Sequence, residues 1–217
     1  DYCEGNAWQY LWLTPQDPEG LIELLEGDKG FTSKLDHLFS ISSDLEEGSS
    51  MDITGLIGQY AHGNEPSHHT TYMYAYAGEQ YKIPENVRYI TDNLYSDQPD
   101  GLSGNEDCGQ MSAWYIFSSM GFYPVNPSNG AYVFGSPLFD EVDLNLGNGK
   151  SMKIIAENNS DSNIYIQGVT LNGAEHKYSY IKHKELVKGG VLKFEMGSTP
   201  NLEFGSEKKY RPQSIVY

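Results

Sequence analysis

The chain has 217 residues, enough to bury a sizeable core in one large domain or two small ones. Its hydrophobic share of 38% and charged share of 20% are ordinary for a globular protein, but its formal net charge of −16 is not. Such a surplus of carboxylates repels nucleic-acid phosphates and anionic lipid head groups, which makes both poor partners and leaves neutral sugars and divalent cations open.

The charge is unevenly placed. Residues 1–124 hold 20 Asp plus Glu against 4 Lys plus Arg, and residues 125–217 hold 10 against 10, so the whole net charge lies in the first part. No apolar run approaches the roughly 18 residues of a membrane span. The opening DYCEGNAWQY reads as the middle of a domain rather than as a basic and then apolar leader. Cys3 and Cys108 are too few for a disulfide framework or a zinc cluster, and two free buried thiols are expected. Asn158-Asn159-Ser160 fits the glycosylation sequon, a short pattern that carries little by itself.

In chain order, the first part carries helical signals. Pro18 opens PEGLIELLEG, in which Leu21, Leu24 and Leu25 share one predicted face before Gly27. FTSKLDHLFS sets Phe31, Leu35, Leu38 and Phe39 on one stripe. HHTTYMYAYAGEQY places Tyr72 and Tyr76 one turn apart with Met73 and Ala77 beside them, and a segment from Pro84 spaces Val87, Ile90 and Leu94 helically. In a fifth segment Met111, Trp114, Tyr115 and Ser118 line one face up to Gly121. From about Gly130 the period changes to two: NIYIQGVTL at 163–171, HKYSYI at 176–181 and VLKFEM at 191–196 alternate. Gly147-Asn148-Gly149, Asn172-Gly173 and Gly189-Gly190 stand between such runs as turns. The predicted fold is α+β: a helical part at 1–125, then a small antiparallel β region at 126–217, with NPSNG at 126–130 as the boundary.

Three loop-like stretches combine Gly, Asn and Glu with aromatics: CEGNAWQYLW at 3–12, HGNEPSHH at 62–69 and GNEDCGQ at 104–110. Glycine lets backbone and ligand approach closely, and asparagine offers a donor and an acceptor to hydroxyls. Trp and Tyr give flat faces for sugar rings, although at helical spacing they more often build a core. Asn6, Trp8, His62, His68 and Asn105 are the candidate sugar-contacting residues. Asp107, ahead of Gly109-Gln110-Met111, is expected to cap the following helix. Cap and helix end would both favour its charged form, which a general base or metal ligand needs. Trp8 and Trp12 suggest a less polar setting for Glu4, which would raise its pKa and suit it to donating a proton; a solvated loop carboxylate is the plain alternative. Glu65, just before Pro66, is open in the same way. His62, His68 and His69 come without a cysteine pair or an HExxH pattern, so packing or hydrogen bonding is expected of them rather than zinc binding.

EGNAWQYLWLTPQD at 4–17, GNEPSHHTTYMYAYAG at 63–78 and GNEDCGQMSAWYIFSSMGFYPVNP at 104–127 are similar to signatures of glycoside hydrolase family 92, the calcium-dependent exo-acting α-mannosidases. The resemblance covers essentially the whole chain, while the chain covers only the family's C-terminal part. Members have an N-terminal β-sandwich, an (α/α)6 barrel and further β structure, and twelve barrel helices need roughly 190 residues. The resemblance therefore implies a partial (α/α)6 barrel, with the missing N-terminal part of the same enzyme as partner and an isolated chain that is inactive. It implies Glu4 as general acid, Asp107 as general base with Glu106 assisting, and Asn64, Glu65 and Asp107 as ligands of Ca2+. Mannose-containing glycans as substrates and a secreted, periplasmic or cell-surface location follow from the same source. Asn105-Glu106-Asp107 stands where other members are expected to carry other acidic arrangements, so the base stays open between Glu106 and Asp107. Inversion requires the two carboxyl groups about 6.5–9.5 Å apart, with room for a water. The alternatives are another (α/α)6 enzyme, such as a trehalase-like hydrolase or an inverting phosphorylase, or a non-catalytic carbohydrate-binding or structural module.

Overall fold

The computed structural model describes residues 2–215. Asn6 opens α1 (Ala7–Tyr10) by accepting the Trp8 N–H on Oδ1 at 2.8 Å, and Gln9 Oε1 accepts the Asn6 N–H at 2.7 Å in return. Asp17 caps α2 (Pro18–Leu24) through the Gly20 N–H, and Pro18 occupies a first-turn position whose N–H would have no partner anyway. Leu21 and Ile22 are buried in α2 whereas Leu24 is 81% exposed, which corrects the expected Leu21, Leu24 and Leu25 face. Ile22 and Leu25 lie about 100° and 40° from Leu21 on one side of the axis, and Leu24 falls outside that arc. Gly27, at φ 96, turns the chain into α3 (Asp28–Ser40), which buries Phe31, Leu35 and Leu38 as its stripe requires.

A short hairpin, β1 (Leu56–Ile57) with β2 (Tyr60–Ala61), leads to the second Gly-Asn stretch. Thr70–Ala77 winds as a 3-10 helix with all eight residues buried, not as a one-sided α-helix. It packs against α2, α3, α4 (Ile83–Asn93) and the first two of the strands that follow α5 (Gln110–Ser119), so no side of it faces water and no stripe can form. Two of its three tyrosine hydroxyls find partners, Tyr72 donating to Ser118 Oγ at 2.7 Å and Tyr74 to Asp36 Oδ1 at 2.9 Å, whereas the buried Tyr76 hydroxyl has none among the described residues. α4 buries Val87 and Ile90, and α5 buries Met111, Trp114 and Ser118, as their spacing leads one to expect.

The later strands are β3 (Phe122–Asn126), β4 (Ala131–Phe134), β5 (Glu141–Asn145), β6 (Ser151–Glu157), β7 (Tyr165–Leu171), β8 (Ala174–Glu175), β9 (Tyr180–Lys182) and β10 (Gly190–Gly197). β3, β4 and β9 form one antiparallel sheet, and the other five form a second in the order β5-β6-β10-β7-β8. β10 runs parallel to β6, pairing Leu192 with Ile154 and Phe194 with Ala156, which corrects the expected all-antiparallel region. A period of two reports the face a residue takes and is silent on strand direction. The chain between β6 and β10, through β7 to β9 and α6 (His183–Leu186), is long enough to return the same way. Met152, Ile154, Ile166, Leu192, Phe194 and Met196 close the core beneath this sheet. Asn172 (φ 53) and Gly173 (φ 81) make the two-residue turn between β7 and β8. Arg88 on α4, buried, donates to Ser136 Oγ and to the Pro137 carbonyl and so ties the helices to the β region.

Candidate active site

The three Gly-Asn stretches meet in space, and glycine is the physical reason. A Cβ at Gly104 would lie 2.2 Å from the Gly63 carbonyl oxygen, and one at Gly63 would lie 2.7 Å from the Ser103 carbonyl oxygen. The loops at 62–69 and 104–110 thus press backbone on backbone, which a side chain at either position would prevent. The first stretch joins them through Asn64, whose Nδ2 donates to the Glu4 carbonyl at 2.9 Å. The carboxyl groups of Glu65 and Asp107 stand within hydrogen-bonding reach of each other.

Glu106 and Asp107 divide their work differently from expectation. Glu106, not Asp107, holds the start of α5: its Oε1 accepts the Ser112 N–H at 3.0 Å and its Oε2 the Ser112 hydroxyl at 2.7 Å. These bonds hold its pKa below the usual carboxylate value. Asp107 precedes a tight turn in which it, Cys108 and Gly109 take φ values of 48, 58 and 94. Left-handed backbone at non-glycine residues costs on the order of 1–3 kcal/mol each and persists only where the surroundings enforce it. Glu4, at φ 62, is strained in the same way. The hydrogen bond with Glu65 raises the Asp107 pKa first, followed by desolvation, the Glu65 charge and the charge of Asp52. A neighbouring carboxyl, rather than the helix end, dominates its pKa, so the shift is upward where cap and helix end were expected to lower it.

Glu4 is exposed, and the expected enclosure by Trp8 and Trp12 is absent. Trp12 is fully buried in the helical core. Trp8 is half-buried edge-on to His37 at 5.3 Å, with Lys34 Nζ 4.2 Å from its ring centre. Cys3 and Cys108 are free, as expected, but exposed rather than buried, because each adjoins a left-handed carboxylate residue in an open loop. Asn6 is committed to capping and donates Nδ2 to Gln59 Oε1 at 3.0 Å, and Asn105 is exposed on the third loop.

His62 and His68 form a buried layer beneath these loops, their rings stacked at 4.8 Å. The Tyr95 hydroxyl donates to the Met111 carbonyl at 3.1 Å, so it accepts from His62 Nε2–H at 2.7 Å, and His62 Nδ1 accepts from the Tyr60 hydroxyl at 2.8 Å. His68 Nε2 donates to the His62 carbonyl at 2.9 Å, and Gln110 Nε2 donates to its Nδ1 at 3.1 Å. Burial lowers the His68 pKa to about 4 against the pull of the His62 carbonyl. Burial likewise lowers His69 to about 4, with its Nε2 on the Trp12 carbonyl at 2.6 Å. These imidazoles are neutral when folded but take a proton near pH ~6.5 when unfolded. Their contribution to stability is therefore complete above pH ~6.5 and is lost as pH falls from there to about 4. The expected slope is about 1.4 kcal/mol per pH unit for each histidine, read from urea midpoints between pH 7 and 4. His69→Gln, whose amide can keep the bond to Trp12, should reduce that slope by about one proton; an unchanged slope would remove His69 from the cause.

Asp52, Gln110 and Tyr95 were not among the sequence candidates. Gln110 lies inside the third motif and could have been read from it, whereas Asp52 sits in a loop without the Gly-Asn signature. Among the described residues no group of three or more His, Cys, Asp or Glu is arranged to hold a metal. The Glu65 and Asp107 carboxylates and Asn64 Oδ1 nevertheless have the hard-oxygen chemistry that calcium prefers, short of its six to eight ligands. Two ionised carboxyl groups side by side repel each other, and a cation between them would relieve that repulsion.

The glycosyl hydrolase family 92 catalytic domain matches residues 1–198. The chain belongs to glycosyl hydrolase family 92. Among solved family members, it is 40% identical to an α-mannosidase of Bacteroides thetaiotaomicron in complex with mannoimidazole, over 97% of this chain and 28% of that one, at a TM-score of 0.90. An inverting mannosidase of the same species is 39% identical over 98% of this chain and 30% of its own, at a TM-score of 0.86. An uncharacterized secreted glycosidase of Arthroderma benhamiae is 29% identical over 215 residues, 98% of this chain and 26% of that protein. The chain thus spans between a quarter and a third of the length of these relatives.

Proposed function

We propose that this chain is the carboxylate-bearing part of an exo-acting, inverting, calcium-dependent α-mannosidase that hydrolyses terminal α-mannosides of glycans. The rest of the (α/α)6 barrel and an N-terminal part would belong to the same complete polypeptide, and the isolated chain would be inactive. The observation that carries the reading is the Glu65 and Asp107 carboxyl pair, joined through Asn64 to the loop of Glu4. The family 92 α-mannosidase and inverting mannosidase relatives support it.

In this reading Glu4, exposed and on left-handed backbone, protonates the departing glycosidic oxygen. Asp107 takes a proton from the attacking water. Both Glu106 oxygens are engaged by Ser112, which favours Asp107 over Glu106 as base and makes Glu106 a positioning residue. Water must fit between Asp107 and the sugar, so Glu4 and Asp107 should stand about 6.5–9.5 Å apart when substrate is bound. Asn64, Glu65 and Asp107 would hold calcium, which when bound supplies positive charge to the carboxyl pair and a hard contact for vicinal sugar hydroxyls. The carboxyl pair thereby has a use that a sugar-binding module would not need. We place the enzyme outside the cytoplasm, secreted or periplasmic, a reading that the secreted fungal relative supports. Among the described residues no helix is long and apolar enough to cross a membrane.

Chelation tests the reading. Treating the complete polypeptide with EGTA should abolish hydrolysis of an aryl α-mannoside, and calcium should restore it. Glu65→Gln should raise the calcium concentration needed for half-activity at least about tenfold. Full activity in EGTA would sink the calcium assignment.

A further inference from the structure

A second cleft, of about 660 Å³, lies in the β region and shares no residue with the three Gly-Asn loops. Phe117, Pro124 and Tyr132 line it together with the run Lys182-His183-Lys184. The Phe117 and Tyr132 rings stack at 5.9 Å. The Tyr132 hydroxyl engages His183 Nδ1 at 2.9 Å, so Nε2 is the imidazole atom left for a ligand. In a chain of net charge −16, no carboxylate lines this cleft among the described residues. None of the ion pairs among the described residues includes Lys182 or Lys184. Glu185, next along, turns Oε2 to the Lys182 N–H at 3.2 Å and offsets part of the charge. Lys182 is half-buried, with Nζ 5.1 Å from the Tyr180 ring centre and 3.5 Å from the Asn129 carbonyl. Burial, and then the Lys184 charge, lower its pKa. Two ammonium groups that repel each other beside apolar walls are stabilised by an anion placed between them. Flat aromatic walls accept the CH face of a sugar ring.

We propose that this cleft binds a sugar bearing an anionic group, a phosphate ester or a uronic carboxylate. Lys182, Lys184 and His183 Nε2 meet the anion, and Phe117 and Tyr132 receive the ring. The site is independent of Glu4 and Asp107 and of the hydrolysis assigned to them. Isothermal titration of the complete polypeptide with mannose 6-phosphate, glucuronate, mannose and inorganic phosphate tests it and separates the two sources of charge. At least one anionic sugar should bind saturably, more weakly as salt is added. The double substitution Lys182→Gln with Lys184→Gln should weaken that binding at least about tenfold, and Asp107→Asn should leave it unchanged. Lys184 is exposed, so Lys184→Gln alone serves if the double variant does not fold. Absence of binding by both anionic sugars, or binding undiminished in the lysine variants, would overturn the site. Inorganic phosphate binding as tightly as the sugar phosphate would overturn the assignment of a sugar.

Discussion

Replacing Asp107 with Asn should lower kcat for α-mannoside hydrolysis on the order of 10²–10⁴-fold with the fold intact. The amide keeps the size of the carboxyl group but cannot take a proton from water. Asp107 is exposed and its close partner is another carboxyl, so the substitution leaves no buried donor unpaired and removes a like-charge neighbour of Glu65. Glu106→Gln should behave in the opposite way. Its two oxygens accept from Ser112 at the start of α5, so its loss should loosen that helix end and change kcat little. Steady-state kinetics and thermal unfolding of both variants decide the matter. A large kcat loss in Glu106→Gln, with turnover retained in Asp107→Asn, would exchange their roles.

Glu4→Gln should lose on the order of 10²–10⁴ in kcat/KM on alkyl and glycan α-mannosides, whose leaving oxygens need a proton. On 2,4-dinitrophenyl α-mannoside, whose leaving group departs as a stable anion, the same variant should lose little. This contrast is specific to the acid, because a residue that merely holds the loop would lower both rates together. The local structure makes a pure loop role testable on its own: the contact from Asn64 goes to the Glu4 backbone carbonyl, which the substitution leaves in place. Equal losses on both substrates would remove Glu4 as the proton donor.

The helical faces of α3, α4 and α5 could be read from spacing because each has one side in water. The stretch Thr70–Ala77 could not, since it is buried all round and its apolar residues carry no period. In β10 the alternation marked which residues face the core. In β7 it did not, because the register shift opposite Glu195 and Met196 brings Ile166 and Val169 into one core, and of 176–181 only Tyr180 and Ile181 are in a strand. No alternation gives the direction of β10. The recurring Gly-Asn stretches pointed to loops that meet, and the Gly63 and Gly104 contact gives that recurrence its cause. The division between Glu106 and Asp107 was hidden because both precede the same helix. The left-handed turn at Asp107, Cys108 and Gly109 determines which carboxylate reaches Ser112 and which reaches Glu65. The same turn put Cys108 in the open, where composition alone suggested burial.

The stereochemistry of the first product tests the pairing of Glu4 with Asp107 across a water most directly. Proton NMR, recorded while the complete polypeptide hydrolyses methyl α-mannoside, should show β-mannose first and α-mannose only later, as mutarotation proceeds. α-Mannose appearing first would contradict that pairing, because retention requires a carboxylate that attacks the sugar itself.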